Sequence, residues 1–551
     1  MADDSTTRVY VARKFITMDD RVPSADAVAV RGSKVIAVGS LETVKASIQP
    51  IAPGFEVDFT LEDKVVTPGL IDNHLHPYLG GALLPMEFIP PDDWELPRGT
   101  VEAVRGKDAF SNRLRELESN RESPDEWLFT WGFSQYFHGE IDRSELDRIS
   151  NSRPVVVWHR SFHELYMNSA AMSALGISES SVADEPQVDW NAGHFYETGL
   201  LVALTALTPI LLEEGRWKRG LFDLREMVHR GGITTIADMS AGLLGEQELA
   251  YLTDVFDSEG TPFRTYLVQE GSSLLASMGN DSTKAVEFVR GRKDFKGKRL
   301  QFLNAVKLFA DGAFFSQAMQ MKAGYLDGHD GEWMSQPDDL LLAARSYWNE
   351  GFQIHVHVNG DLGVEVMLDI LDTLRRETPR DDHRFTLHHV GYCSLDQVER
   401  IAELGAVVSA NPYYIHLLGE LYSQHGLGPD RATHLVRSRS LLERRVALSL
   451  HSDMTIAPAK PLLLAWCAVN RLGLSGGVLG PEERISVHQA LRAVTLDAAF
   501  ALRKEDEIGS IEVGKFADLT VLEDDPYSLP PEKLKDISVW GTMFEGDLYP
   551  L

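Results

Sequence analysis

The stretch VVTPGLIDNHLHP, residues 65–77, decides the fold. Apolar and β-branched residues lead into His74 and His76, and a Pro-Tyr-Leu-Gly-Gly break follows. Such a run reads as a strand carrying two histidines at its C-terminal end. Side chains alternate faces along a strand, so imidazoles at i and i+2 point the same way. Two neutral imidazoles side by side at the mouth of a barrel can grip a divalent metal. A pair of hydrogen-bonded histidines has the same spacing, and one His-x-His does not separate the two readings. The partners farther along the chain do.

Outward from this run, the middle of the chain alternates apolar strands with helical patterns. Strands are expected at RPVVVWH (153–159), GGITTIADM (231–239), FRTYLVQE (263–270), QFLNAVKLFADG (301–312), GFQIHVHVNGD (351–361), RFTLHHVG (384–391), AVVSANP (406–412) and RVALSLHSD (445–453). Helical patterns such as GVEVMLDILDTLRRE (363–377) and SLDQVERIAELG (394–405) lie between them. This alternation implies a parallel sheet, and about eight units close a (β/α)8 TIM-type barrel with its active site at the strands' C-terminal ends. The stretch from about 80 to 230 is too long for one βα loop and is expected to cap the barrel mouth. Both ends of the chain are rich in short β runs, VYVARKFITM (9–18) and AVAVRGSKVIAVG (27–39) at one and GSIEVGKFADLTVL (509–522) at the other. The expected division is a composite β-sandwich of residues 1–66 plus 505–551 and a barrel of residues 67–504.

Composition narrows the function class. The 551 residues are 44% hydrophobic and 25% charged, ordinary for a soluble globular protein. The 53 basic against 82 acidic residues leave a net charge of −29, which argues against a general affinity for nucleic acid or anionic membranes and does not identify a substrate; the partner expected is a small-molecule substrate. Cys393 and Cys467 cannot form a disulfide framework and suit a reducing compartment. No secretory signal opens the sequence and no apolar run reaches spanning length, so a cytoplasmic location is expected. A homodimer is compatible with these properties.

The polar residues of interest fall at expected strand ends. Lys307 sits inside the apolar strand NAVKLFADG, where burying an ammonium is costly. It either pairs with an acid such as Asp311 or is carboxylated and bridges two metals. His355 and His357 share a face by period two; His357 lies nearer the C-terminal end, and His355 reads as a deeper, hydrogen-bonded histidine. His388 and His389 are adjacent, so a regular strand sends them to opposite faces unless a bulge intervenes. Asp453 ends another strand and His451 shares its face. Asp453 there is either a helix N-cap or a metal ligand that takes the proton of an attacking water.

The chain resembles the metal-dependent amidohydrolase superfamily, in its YtcJ-like, amidohydrolase-3 branch. VVTPGLIDNHLH matches the family's metal strand; GGITTIADM, VKLFADGAF, HVNGD, the His-His strand and SDMTIAP follow in family order. HQALRAVTLDAAFAL and GSIEVGKFADLTVL resemble its C-terminal signature. The resemblance implies a distorted barrel with a composite β-sandwich and one or two divalent metals, most often zinc. Carried over by position, His74 and His76 hold the more buried metal, Lys307 is the bridging carbamate, and His357 and His389 bind the second metal. Asp453 binds metal and serves as general acid and base. His388 stands where the branch usually carries Glu, and His451 where it usually carries Gly.

The expected activity is hydrolysis of an amide C–N bond in a small, partly apolar molecule by a metal-activated water. Alternatives are hydrolysis of an ester, lactone or carbamate, a lyase reaction in the same site, and a catalytically inactive scaffold, against which the complete set of ligand types argues. Substrate contacts are expected from His388, His451 and His163, in HRSFHELYMNS, whose family counterpart suggests the role, although a structural histidine fits His163 equally well. Phe314, Phe315, Tyr413 and Tyr414 follow expected strands and join them by location. The aromatics Trp127, Phe129, Trp131, Phe133, Tyr136 and Phe137 are expected to be chiefly core packing.

Overall fold

The computed structural model describes residues 6–123 and 126–551. Eight parallel strands form the barrel: Leu70–Leu75, Ile233–Ala241, Arg264–Glu270, Leu300–Phe309, Gln353–Val358, Thr386–His389, Val407–Ala410 and Leu448–Leu450. Each pairs with its sequence neighbour in order. The last meets the first through side chains and the loop beyond it: Asn73 Nδ2 donates to Ser449 Oγ at 2.9 Å, and the Asp453 amide donates to the His74 carbonyl at 2.9 Å. The first and fifth strands are buried at every position, because helices cover the outer face and side chains fill the inner one.

The covering helices have legible local causes. Helix Leu395–Leu404 starts at Ser394, whose Oγ accepts from the Gln397 amide while Gln397 reaches back to the Ser394 amide, and it ends at Gly405 with φ +67°. Two orphan amides are thereby satisfied at one end, and a left-handed residue stops the helix at the other.

The opening stretch is two strands, which corrects the single strand read from sequence. Glu56–Pro68 belongs to the terminal domain, and Leu70–Leu75 to the barrel. Gly69 separates them, and a Cβ built there would lie 1.9 Å from Thr234 Oγ1. The close approach of the second barrel strand admits only glycine at this joint.

The two termini share one seven-stranded sheet, in the order Asp547–Pro550, Val539–Phe544, Leu519–Leu522, Glu56–Pro68, Thr7–Ile16, Ser24–Arg31, Lys34–Gly39. Val65–Pro68 pair antiparallel with Leu519–Leu522. One face of this sheet buries Tyr10, Phe15 and Leu61 with Leu519, Val521 and Met543, while helix Leu41–Ile48 covers Val9 and Ala29 on the other face. Neither terminus supplies enough apolar surface for a core of its own.

The cap carries a sheet of six strands: Val188–Asp189, His194–Tyr196, Glu164–Met167, Val155–His159, Leu128–Phe133 and Glu87–Phe88. RPVVVWH therefore forms a strand of the cap, a correction to its place among the barrel units. Its neighbours are Leu128–Phe133, parallel, and Glu164–Met167, antiparallel. The cap aromatics pack against one another, with Phe88 stacked on Trp131 at 3.7 Å and Trp127 on Phe129 at 5.2 Å. Among the described residues no single helix is long and apolar enough to cross a membrane.

Candidate metal centre

Five barrel strands deliver polar side chains to one point at the C-terminal mouth. His74 lies near the end of the first strand, and His76 is the residue before helix Pro77–Leu83. Their Nε2 atoms approach to 3.2 Å. Asp453 Oδ1 lies 3.2 Å from His76 Nε2 and 3.6 Å from His74 Nε2. Lys307 Nζ, from the fourth strand, stands 3.4 Å from His74 Nε2. His389 Nδ1 is 3.7 Å from Asp453 Oδ2, and the His357 ring centre lies 4.5 Å from that of His389. The structure thus brings together His74, His76, Lys307, His357, His389 and Asp453.

The adjacent histidines both turn into the barrel, by a route the regular-strand reading did not contain. His388, still in strand geometry, places Nδ1 2.7 Å from His74 Nδ1 and Nε2 2.8 Å from His355 Nδ1. His389 then takes φ +76° and Val390 φ +45°, so the backbone leaves the strand and swings His389 inward. Left-handed geometry at a β-branched valine is costly and persists only where the surroundings over-determine it. Here the Val390 amide is bound by the carbonyls of Val358 at 2.9 Å and His388 at 3.1 Å. Asp453 also sits at φ +54°. His451, the residue just past the eighth strand, points Nε2 at His389 Nδ1 across 3.1 Å, and its Nδ1 meets Ser409 Oγ at 2.8 Å.

Burial sets the charge states. It holds His74, His357, His388 and His389 well below the ordinary imidazole value, His355 and His451 at about 3, and His76 lower than usual, so all seven rings are neutral at neutral pH. Burial also pulls Lys307 down to about 7. For Asp453 burial pushes upward, but the neighbouring His76 outweighs it and keeps the carboxyl ionised, at about 2. The salt bridge Lys307–Asp311 considered from sequence does not form. Asp311 instead accepts backbone N–H groups from Asn359 and Gly360 at 2.8 Å and Gln320 at 2.9 Å.

Neutral imidazoles beside an ionised carboxylate are the donor set of a divalent cation. The ligand atoms of His74, His76 and Asp453 lie within 4.8 Å of one another, as do those of His74, His389 and His451. The Nε2 atoms of His74 and His76 converge with Asp453 Oδ1, so two imidazole lone pairs and a carboxylate oxygen meet at one point that a cation would take. The residues therefore fit a metal.

Over the cluster lies a cavity of about 180 Å³, lined by His76, His163, His357, Asp453 and apolar side chains of the cap. His163 Nδ1 is 2.8 Å from Glu197 Oε2, and this carboxylate raises the imidazole above its ordinary value against the pull of burial. Tyr414 reaches the cluster, its hydroxyl 3.4 Å from His389 Nδ1. None of the four aromatic candidates lines the cavity itself. Phe314 is sandwiched between Tyr414 and Tyr422, at 4.2 Å from each, and Phe315 packs against Tyr414 and Arg160. Tyr413 turns the opposite way from its neighbour and donates its hydroxyl to Asp92. Helix Tyr413–Leu421 begins at this point, so consecutive side chains diverge by about 100°.

Four further residues support the site. Glu270 ends the third strand, lines the cavity and accepts the amides of Ser272 and Ser273; its place in FRTYLVQE was a usable signal. Asp72, inside the opening stretch, holds Ser452 next to Asp453. Arg160, fully buried, donates from Nη1 to the Thr455 carbonyl at 2.8 Å and from Nη2 to that of Ile456 at 2.7 Å. It thereby ties the cap to the Asp453 loop while lying over the Trp94 ring at 4.4 Å. Glu197, the fourth, has no local sequence signature, since only tertiary packing sets it against His163.

A parallel barrel whose C-terminal mouth gathers imidazoles and a carboxylate defines a cation-binding barrel. The Amidohydrolase family model matches residues 59–549, and the chain belongs to that family. It is 28% identical over 97% of its length to protein LONG AFTER FAR-RED 3 of Arabidopsis thaliana, covering 90% of that protein. It is 26% identical to the N-substituted formamide deformylase of Arthrobacter pascens, with 97% and 96% of the two chains covered. Among solved structures, an uncharacterized metal-dependent hydrolase from Pyrococcus horikoshii shares the fold, with a TM-score of 0.73 at 22% identity over 95% of this chain and 99% of that one.

Proposed function

We infer that the protein is a metal-dependent hydrolase that cleaves an amide C–N bond in a small molecule. The observation that carries this reading is the convergence of His74, His76 and Asp453 within 3.2–3.6 Å, with His76 and Asp453 lining a cavity of about 180 Å³. The similarity to an N-substituted formamide deformylase favours the amide bond. His74, His76 and Asp453 would hold one divalent cation, and His357 and His389 a second. The predominance of neutral imidazole suits zinc. Lys307, at about 7 and without a carboxylate hydrogen-bonded to it, is the amine that would add carbon dioxide, releasing a proton and leaving a carbamate between the two positions.

A bound divalent metal supplies an acidified water and polarises the scissile carbonyl. The chain's own residues do the rest. Asp453, ionised at working pH, accepts the proton of the water and returns it to the leaving nitrogen. His163, oriented by Glu197 through Nδ1, presents its other edge to the cavity, where it meets a carbonyl oxygen. The cap helix Thr198–Leu211 lines the cavity beside both.

The test is turnover by zinc-reconstituted protein of a panel of N-formyl and N-acetyl amines with matched esters. Amide hydrolysis that stops on chelation and returns with zinc supports the reading. Hydrolysis of the esters alone assigns the site to C–O bonds, and no turnover of either class rejects hydrolysis.

A further inference from the structure

The cavity above the cluster has two unlike halves. Its floor is polar, with His76, His163, His357 and Asp453. Much of the rest of its lining is leucine: Leu200, Leu201, Leu204 and Leu211 from the cap helix Thr198–Leu211, with Leu243 and Leu244 from the turn after the second barrel strand. The helical leucines fall near i, i+4 and i+11, so one helix face is turned to the reacting groups. Leu201 remains 50% exposed while lining this cavity, so apolar surface here awaits a contact that the folded chain does not provide.

Charge in the cavity is already engaged. Glu197 is paired with His163, Glu270 with the amides of Ser272 and Ser273, and Asp453 with His76. No lysine or arginine lines it among the described residues. A carboxylate on the substrate would therefore meet no cation, and an ammonium no uncommitted carboxylate, and each would be desolvated at a large cost. Apolar cavities of about 150 Å³ accept a single benzene ring. This one, at about 180 Å³, is of that class.

The leucine wall is also held in fixed relation to the chemistry. Glu197, the residue before the helix, has φ +44° and ψ −113°, a region that L-residues rarely enter. Its amide donates to the His163 carbonyl at 2.8 Å while its carboxylate binds the His163 ring. One strained residue thus sets both the imidazole facing the reacting carbonyl and the start of the apolar wall.

We propose that the site is built for neutral substrates in which the hydrolysable group carries one uncharged apolar substituent, of ring or short branched-chain size, seated against Leu200, Leu201 and Leu204. The proposal rests on the hydrolase reading above and specifies its substrate class. For zinc-loaded protein and the formamides of methylamine, butylamine, benzylamine, glycine and ethylenediamine, kcat/KM rises about fourfold per methylene buried and is highest for butyl or benzyl. The glycine and ethylenediamine derivatives fall below the methyl one. A flat series, or preference for either charged derivative, overturns the proposal even while the hydrolase reading stands.

An independent arm needs no turnover. Ligand-observed NMR of benzyl alcohol should show binding to the protein and loss of that binding in Leu204→Trp, which fills the cavity, and in Leu201→Glu, a change at a half-exposed position. Binding of this pattern without hydrolysis of any substrate sinks the hydrolase reading and leaves the apolar subsite standing. No binding to the unmodified protein, or equal binding to all three, overturns the subsite.

Discussion

Replacing His388 by alanine separates a residue that supports the metal centre from one that would hold the metal. His74 Nε2 faces His76, Lys307 and Asp453, so a cation would use that lone pair. Its proton then sits on Nδ1 and is donated to His388 Nδ1 at 2.7 Å, and His388 donates from Nε2 to His355 Nδ1 at 2.8 Å. A ligand histidine held in one tautomer by such a partner is the more basic for it, and loss of the partner typically costs 10–100-fold in metal affinity. His388→Ala also leaves the nitrogens of His74 and His355 unsatisfied in a fully buried place. At about 1–3 kcal/mol each, the expected loss is about 2–6 kcal/mol of stability in the metal-free protein. His389→Ala, by contrast, should remove a ligand and with it at least one bound ion. The assay is urea denaturation of metal-free protein together with competitive titration of zinc against a chelator and metal counting at saturation. Wild-type affinity and stability in His388→Ala, or full metal content in His389→Ala with an ion lost in His388→Ala, would refute the reasoning.

Asp453→Asn keeps the shape and removes the charge and basicity, so it should fold, retain most metal, and lose about 10²–10⁴-fold in kcat; near-normal turnover would place the base elsewhere, with His451 first in line. Arg160→Met removes two charge-assisted hydrogen bonds to the carbonyls of Thr455 and Ile456, at about 1.5–3 kcal/mol each, and should lower both the denaturation midpoint and metal affinity. An affinity that stays unchanged while stability falls would show that the cap does not position Asp453. Gly69→Ala should destabilise by about 1–3 kcal/mol through the clash with Thr234, and Gly69→Ala combined with Thr234→Ala should recover part of that loss in the same denaturation assay. For pH, the seven buried imidazoles titrate below 6.5 in the folded chain and near 6.5 in the unfolded one. The unfolded state therefore takes up more protons as pH falls through that window, and stability drops by up to about 1.4 kcal/mol per pH unit for each histidine. His138, His159, His229, His383 and His416, also lowered by burial, act in the same direction. Asp72, Glu248 and Asp311, held up at about 7 by burial, oppose them together with Asp238, Glu270, Asp223, Asp361 and Asp497, which burial also raises, and these acids are fewer than the imidazoles. Denaturation of metal-free protein at pH 7.5, 6.5 and 5.5 checks the sign, and rising stability toward pH 5.5 would contradict it.

The sequence by itself determined the barrel and the roster of its mouth. Strand-period apolar runs ending in His74, Lys307, His357 and Asp453 announce inward-facing polar groups at strand ends, because alternation and burial are local properties that residue type reports directly. The pairing of the two termini was legible for a similar reason: each end has the β pattern and too little apolar surface to close a core alone. Tertiary structure decided the rest. Whether His388 or His389 faces the barrel could not be read, since both do, and the turn that permits it is imposed on Val390 by the Val358 carbonyl from the neighbouring strand. Tyr413 and Tyr414 are chemically alike in sequence, yet the start of one helix sends the first to Asp92 and the second to His389. The cap's share is the least local of all. Glu197 orients His163 across 34 residues, and Arg160 grips carbonyls nearly 300 positions away, at Thr455 and Ile456. Such contacts follow from where a packed sheet puts two distant backbones, and no residue pattern on either segment encodes that distance.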